Sequence, residues 1–172
     1  IASLKDFGAD TRSIGGILSG NGTARYSQGR WEGEAALIIT RGNYKGEPFD
    51  RIQGRVQLRD QRLRLLHADA LRGTARVNAE GSIDLKARRL DLSVRLNDIS
   101  LEQIPLIQNK RLPLRGRVKA SGDFAGLFDD PAFAGTVELN GLGYNSYDLG
   151  NGKGSIRLDS GILQGDIRIR SD

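Results

Sequence analysis

The stretch Arg51-Ile52-Gln53-Gly54-Arg55-Val56-Gln57-Leu58-Arg59 alternates polar and apolar residues without a break. A period of two places Ile52, Gly54, Val56 and Leu58 on one face of a strand and every polar side chain on the other. The pattern returns at Leu90, Leu92, Val94 and Leu96, set between Arg89, Asp91, Ser93, Arg95 and Asn97. It returns again at Leu114, Gly116, Val118 and Ala120, set between Arg115, Arg117, Lys119 and Ser121. Weaker copies are Ile83, Leu85 and Ala87; Val137 and Leu139; Ile156 and Leu158; and Leu163, Gly165, Ile167 and Ile169. The chain therefore reads as about ten to twelve short strands. Turn signals at Ala79-Glu80-Gly81-Ser82, Asp129-Asp130-Pro131 and Asp159-Ser160-Gly161 come at hairpin spacing, which predicts an antiparallel meander. Only residues 100–108 break the alternation: Ser100 is placed to cap one helical turn from Leu101 to Ile104, which Pro105 ends or follows with a second short turn.

Composition bounds the chemistry. With 172 residues and 38% apolar content the chain has material for one core, so a single unit spanning 1–172 is expected. Glycine takes 23 positions, roughly twice the average share of about 7%, against one Trp, four Tyr and five Phe. With no cysteine and one histidine, disulfide frameworks, thiolate metal sites and multi-histidine metal sites are excluded. No cofactor, no metal and no enzymatic activity are expected. No apolar run approaches the roughly 18 residues that cross a bilayer, and the start is unlike a signal peptide. Because the chain begins at Ile1 and holds no methionine, it reads as a piece of a longer protein whose targeting and anchoring signals lie elsewhere.

The chain also repeats. Ser19, Gly20, Trp31 and Gly33 match Ser121, Gly122, Phe133 and Gly135 at a spacing of 102, while Tyr44, Phe49, Gly54, Leu58 and Leu63 match Tyr144, Leu149, Gly154, Leu158 and Leu163 at 100. Two copies of one module are expected, at about 14–108 and 112–172, the second truncated, with one shorter hairpin turn accounting for the drift of two.

A sheet with one apolar face must cover it by stacking, by closing into a barrel or by curling into a trough. The inward positions are mostly aliphatic or glycine, with few rings to fill a closed centre, and modular repetition suits an elongated array. The expected fold is all-β, an elongated, curled antiparallel sheet forming an open trough. Its groove-lining residues would be Ile52, Val56, Leu58, Leu63, Leu65, Val77, Ile83, Leu85, Leu90, Leu92, Val94, Leu96, Leu114, Val118, Val137, Leu139, Ile156, Leu158, Leu163, Ile167 and Ile169. Such a groove orients no reaction, but it can hold an acyl chain at about 0.8 kcal/mol per buried methylene.

The run from Ser121-Gly122-Asp123 through Asp130-Pro131 to Phe133-Ala134-Gly135-Thr136-Val137-Glu138-Leu139 resembles the repeat of the bacterial TamB and AsmA-like proteins. So do Tyr144 to Gly165, with Leu149-Gly150, Gly154-Ser155-Ile156 and Gly161-Ile162-Leu163, and the segment from Leu90 through Ile99-Ser100-Leu101 to Pro105. The resemblance extends from about Ile14 onward, and its motifs are glycines and alternation. It implies a β-taco trough within an envelope-spanning protein, anchored in the inner membrane and reaching through the periplasm. It further implies a part in outer-membrane biogenesis: transport of phospholipid between the membranes, or chaperoning of client β-strands for insertion with a TamA-type outer-membrane barrel. No catalytic motif of that family exists to carry over. A plain structural β-sandwich is the remaining alternative, and end-to-end self-association follows if an apolar groove stays open.

Charge is unevenly spread. Residues 51–119 hold sixteen Lys and Arg against seven Asp and Glu, and the remainder ten against fourteen, so +9 and −4 make up the net +5. Alternation sends Arg51, Arg55, Arg59, Arg89, Arg95, Arg115, Arg117 and Lys119 outward, as a solvated face that discourages edge pairing or as an attractant for anionic headgroups or an acidic partner. Nucleic acid is not expected as a partner, because no aromatics are interleaved for stacking. His67 reads as a surface histidine at a strand end, Asp129 and Asp130 as turn residues, and Gly150, Gly152 and Gly154 lack the strand-to-helix context of a phosphate loop. Trp31 and Phe133 read as packing at equivalent repeat positions.

Overall fold

A computed structural model describes residues 14–44, 47–104 and 111–171. Ten strands follow one another: β1 (Ile14–Ser27), β2 (Arg30–Tyr44), β3 (Glu47–Arg59), β4 (Arg62–Arg72), β5 (Ala75–Asp84), β6 (Arg89–Ser100), β7 (Leu114–Leu127), β8 (Asp130–Tyr144), β9 (Tyr147–Asp159) and β10 (Ile162–Arg170). They form one antiparallel sheet in sequence order, unclosed and curled. Strand neighbours in the chain are neighbours in space, and the only other substantial packing is that of a 3-10 turn at Leu101–Gln103 against β7.

The expected helical segment shrinks to that turn, and residues 105–108 lie outside the described residues. Ser100 makes no capping bond; its hydroxyl donates to the Glu102 carboxylate instead. Three further expectations are corrected. Ala79-Glu80-Gly81-Ser82 lies within β5, where the backbone of Gly81 (φ 141°) eases a bulge rather than reversing the chain. Leu85 and Ala87 fall in the turn between β5 and β6, where the Leu85 N–H donates to the Gln61 carbonyl at 2.9 Å. His67 stands inside β4 at the bulge that separates Leu65 from Ala68, not at a strand end.

Strand bounds recur at a constant spacing. β7, β8 and β9 begin 100 residues after β1, β2 and β3, and β10 begins 100 after β4. Even the irregularities recur: β1 and β2 slip register between Gly15 and Ile17, as β7 and β8 do between Arg115 and Arg117. At both places a glycine has positive φ (Gly16 137°, Gly116 131°) and the facing strand turns left-handed (Arg41 49°, Gly141 59°). The drift of two is not caused by a shorter turn, since two residues join both β1 to β2 and β7 to β8. It arises because the aromatic pair moves along the hairpin: Tyr26 faces Trp31 next to one turn, whereas Phe124 faces Phe133 three pairs above the other. Phe133 thus corresponds to Gly33, not to Trp31.

Accessible surface is 12424 Å² for a chain of 18.7 kDa, against about 8,300 Å² for a compact protein of that mass. The excess is what a single uncovered layer exposes. Yet the two faces are not equally open. Along β7 each position alternates between half-buried and exposed, and β6 does the same over most of its length. A flat bare sheet would expose both faces alike, so the half-buried face is the inside of the curl.

Candidate functional site

Residues directly opposite in an antiparallel ladder share a face, so the register can be followed across the whole sheet. One row runs Ala24, Gly33, Leu58, Leu63, Ile83, Leu90, Gly126, Pro131. The next runs Gly22, Ala35, Val56, Leu65, Gly81, Leu92, Phe124, Phe133, Leu158, Leu163. Below it come Gly20, Leu37, Gly54, Ala68, Ala79, Val94, Gly122, Gly135, Ile156, Gly165, and then Leu18, Ile39, Ile52, Ala70, Val77, Leu96, Ala120, Val137, Gly154, Ile167. A shorter fifth row holds Ile99, Val118, Leu139, Gly152 and Ile169. None of these rows contains an acid, a base or a polar amide.

Nineteen of the twenty-one groove positions read from the sequence thus meet on this face within these five rows. Leu114 joins it beyond the β7 bulge, opposite Tyr144. Leu85 does not belong to a strand. Most of the set is half-buried; Val137 is 6% exposed, whereas Leu163, Ile167 and Ile169 on the edge strand stand open. Sequence reading missed Leu18, Leu37, Ile39 and Phe124, which the same parity would have found by extending each alternation through its glycines. It also missed Leu142 and the 3-10 residue Leu101, which with Phe133 and Val137 are the buried apolar side chains among the described residues.

Curvature has a local cause. The third row is half glycine, and two of its glycines face each other at Gly122 and Gly135. Phe133 covers that pair, with Phe124 beside it at 4.8 Å between ring centroids. Bulges in β2, β4, β6 and β8 add bend and twist. Nine inter-strand steps of about 4.8 Å make the face about 43 Å long across the strands.

The opposite face carries the charge. Arg51, Arg55, Arg59, Arg89, Arg95, Arg115, Arg117 and Lys119 are all exposed there. Acids interleave with them, as in Arg59 with Glu32 (3.3 Å), Arg62 with Asp84 (3.7 Å) and Lys153 with Glu138 (2.9 Å). Its most connected group is Asp69. Partial burial pushes the Asp69 carboxyl up, but hydrogen bonds from Gln53, His67 and Asn78 outweigh this and hold it below the usual range. His67 is therefore an exposed partner of Asp69 at 2.5 Å. Asp130 opens β8 and Asp129 meets the Arg88 guanidinium at 3.1 Å. Among the described residues no three His, Asp or Glu side chains gather as a metal site.

No protein-family model, curated protein or solved structure matches the chain.

Proposed function

We propose that the apolar face shields phospholipid acyl chains, as a segment of a TamB- or AsmA-like periplasmic protein that carries lipid between the inner and outer membranes. One observation carries this reading: uncharged rows run across the inside of a curled sheet, and the 3-10 turn at Leu101–Gln103, beside β7, is the one described element outside the sheet. A length of about 43 Å exceeds the ~15 Å depth of one leaflet's acyl chains, so a whole tail fits along the strands' stacking direction. Contact along the tail is chemically unselective, each buried methylene contributing about 0.8 kcal/mol. With no acid, base or amide in the five rows, selection falls on the headgroup rather than on the tail.

Native mass spectrometry with lipid extraction tests the reading on protein purified from a bacterial envelope. Phospholipid at a reproducible ratio is expected, and Leu92→Asp or Val56→Asp should remove it while circular dichroism stays that of a sheet. A lipid-free protein of high stability that Leu92→Asp unfolds outright would mean a closed core, and the reading would fall.

A further inference from the structure

Not every base on the outer face has a counter-charge. Arg51, Arg55, Arg64, Arg76 and Arg95, on β3 to β6, are exposed and make no ion pair among the described residues. The ladder shows why. Arg51 stands opposite Thr40 and Leu71, Arg55 opposite Ala36 and His67, and Arg64 opposite Gln57 and Ser82. Arg76 stands opposite Leu71 and Asn97, and Arg95 opposite Asn78 and Ser121. No acid faces any of the five, unlike Arg59, Arg62 and Lys153, whose cross-strand neighbours are Glu32, Asp84 and Glu138. Three carboxylates lie among them, Asp69, Glu80 and Asp91, and Asp69 already accepts from Gln53, His67 and Asn78. The field stays positive.

Its layout points to a kind of partner. The five arginines spread over three inter-strand steps and about six residues of strand, roughly 14 by 20 Å. Arg55, Arg64 and Arg95 line separate clefts, so they do not converge as a site for one small anion would. From Arg51 to Asn97 there is no Phe, Tyr or Trp. The face therefore lacks the rings on which bases stack and the aromatic anchors that centre protein interfaces. What stands between the guanidiniums is aliphatic: Leu71 separates Arg51 from Arg76, and Ile38, 40% exposed, is diagonal to both Arg51 and Arg55. Arginines set around aliphatic side chains suit a headgroup layer, where the cation meets phosphate and its stem stays apolar.

We propose that the outer face of β3 to β6 lies against the anionic headgroups of a membrane, held by these five arginines. The inference rests on the outer face alone and holds whatever the apolar face binds.

Flotation of the full chain with vesicles tests it. Vesicles of phosphatidylcholine mixed with phosphatidylglycerol should carry the protein, pure phosphatidylcholine should not, and raising salt from about 0.05 to 0.5 M should release it. Each cation near an anionic surface changes partitioning about fivefold. Arg55→Gln with Arg95→Gln should thus weaken binding at least about tenfold, as should Arg51→Gln with Arg76→Gln. Lys153→Gln with Arg157→Gln removes the same charge from paired positions on β9 and should weaken it far less. Leu92→Asp, on the inner face, should leave it unchanged. Equal loss in the β9 variant would overturn the proposal, because binding would then follow net charge alone. Equal binding to neutral vesicles would overturn it too. So would a chain that ignores anionic vesicles but is retained by immobilised polyglutamate, which would give the face to an acidic protein.

Discussion

The ring of Phe133 lies over Gly122 on the neighbouring strand, so close that a Cβ on the glycine would stand 2.8 Å from Cζ. A glycine pair in mid-sheet leaves a dent in the apolar face, and the aromatic fills it from one step along its own strand. Two opposite penalties follow. Phe133→Ala empties a site that is 7% exposed and should cost about 3 kcal/mol. Gly122→Ala should cost about 1–3 kcal/mol by overpacking, since the new methyl also meets the Gly135 Cα. Urea melts of the two variants check both values.

Positions 41 and 141 occupy the same left-handed bulge in the two modules, filled once by arginine and once by glycine. A non-glycine residue there costs about 1–2 kcal/mol. Arg41→Gly should therefore stabilise, by about 0.5–1 kcal/mol after the extra freedom of the unfolded chain is counted. Gly141→Ala should destabilise by about 1 kcal/mol, through backbone conformation alone, because nothing lies within 4 Å of the added methyl. Opposite shifts in thermal midpoint are the expected result.

Acid should weaken the fold. The Arg117 hydrogen bond holds the Asp98 carboxyl below its usual range, and Lys153 does the same for Glu138. A carboxylate whose folded pKa is depressed contributes stability that is fully present above its unfolded value of about 4 and lost as pH falls through the folded value. Melting temperature should thus drop below about pH 4. Asp98→Asn should flatten that acid limb; a limb of unchanged slope would remove Asp98 from the account.

The cross-strand ion pairs should matter little at neutral pH. Lys153→Ala breaks an exposed, solvent-screened pair with Glu138 and should leave stability almost unchanged. Val137→Ala, one residue away in β8 but on the inner face, should cost roughly 2 kcal/mol. Denaturant titration of the two variants separates the faces.

Amide hydrogen exchange should grade across the sheet. Protection should peak in β7 and β8, near the buried Phe133, Val137, Leu142 and Leu101, and fall towards β1 and β10, where side chains stand open.

Alternation made the strands, their antiparallel order and the apolar face legible, because a period of two is a property of side chains. The backbone irregularities were not. Arg41 and Asp98 have positive φ although neither is a residue type that demands it, and Leu66 is an extra residue in β4 that no local composition marks. Gly81 reads as a turn glycine and serves inside a strand. The edge residues Leu163, Ile167 and Ile169 alternate as a covered strand would, yet their exposure follows from position in the sheet, which periodicity does not encode.

The single-file order of the strands also sets how the molecule bears load. Since each strand is laddered to the one before and the one after, tension applied at the two ends of the sheet falls first on the outermost ladders. Antiparallel partners pulled from one end peel bond by bond instead of shearing together. Stretched along its length, the sheet should give way as a sequence of small hairpin openings, each reversible, and never as one rupture.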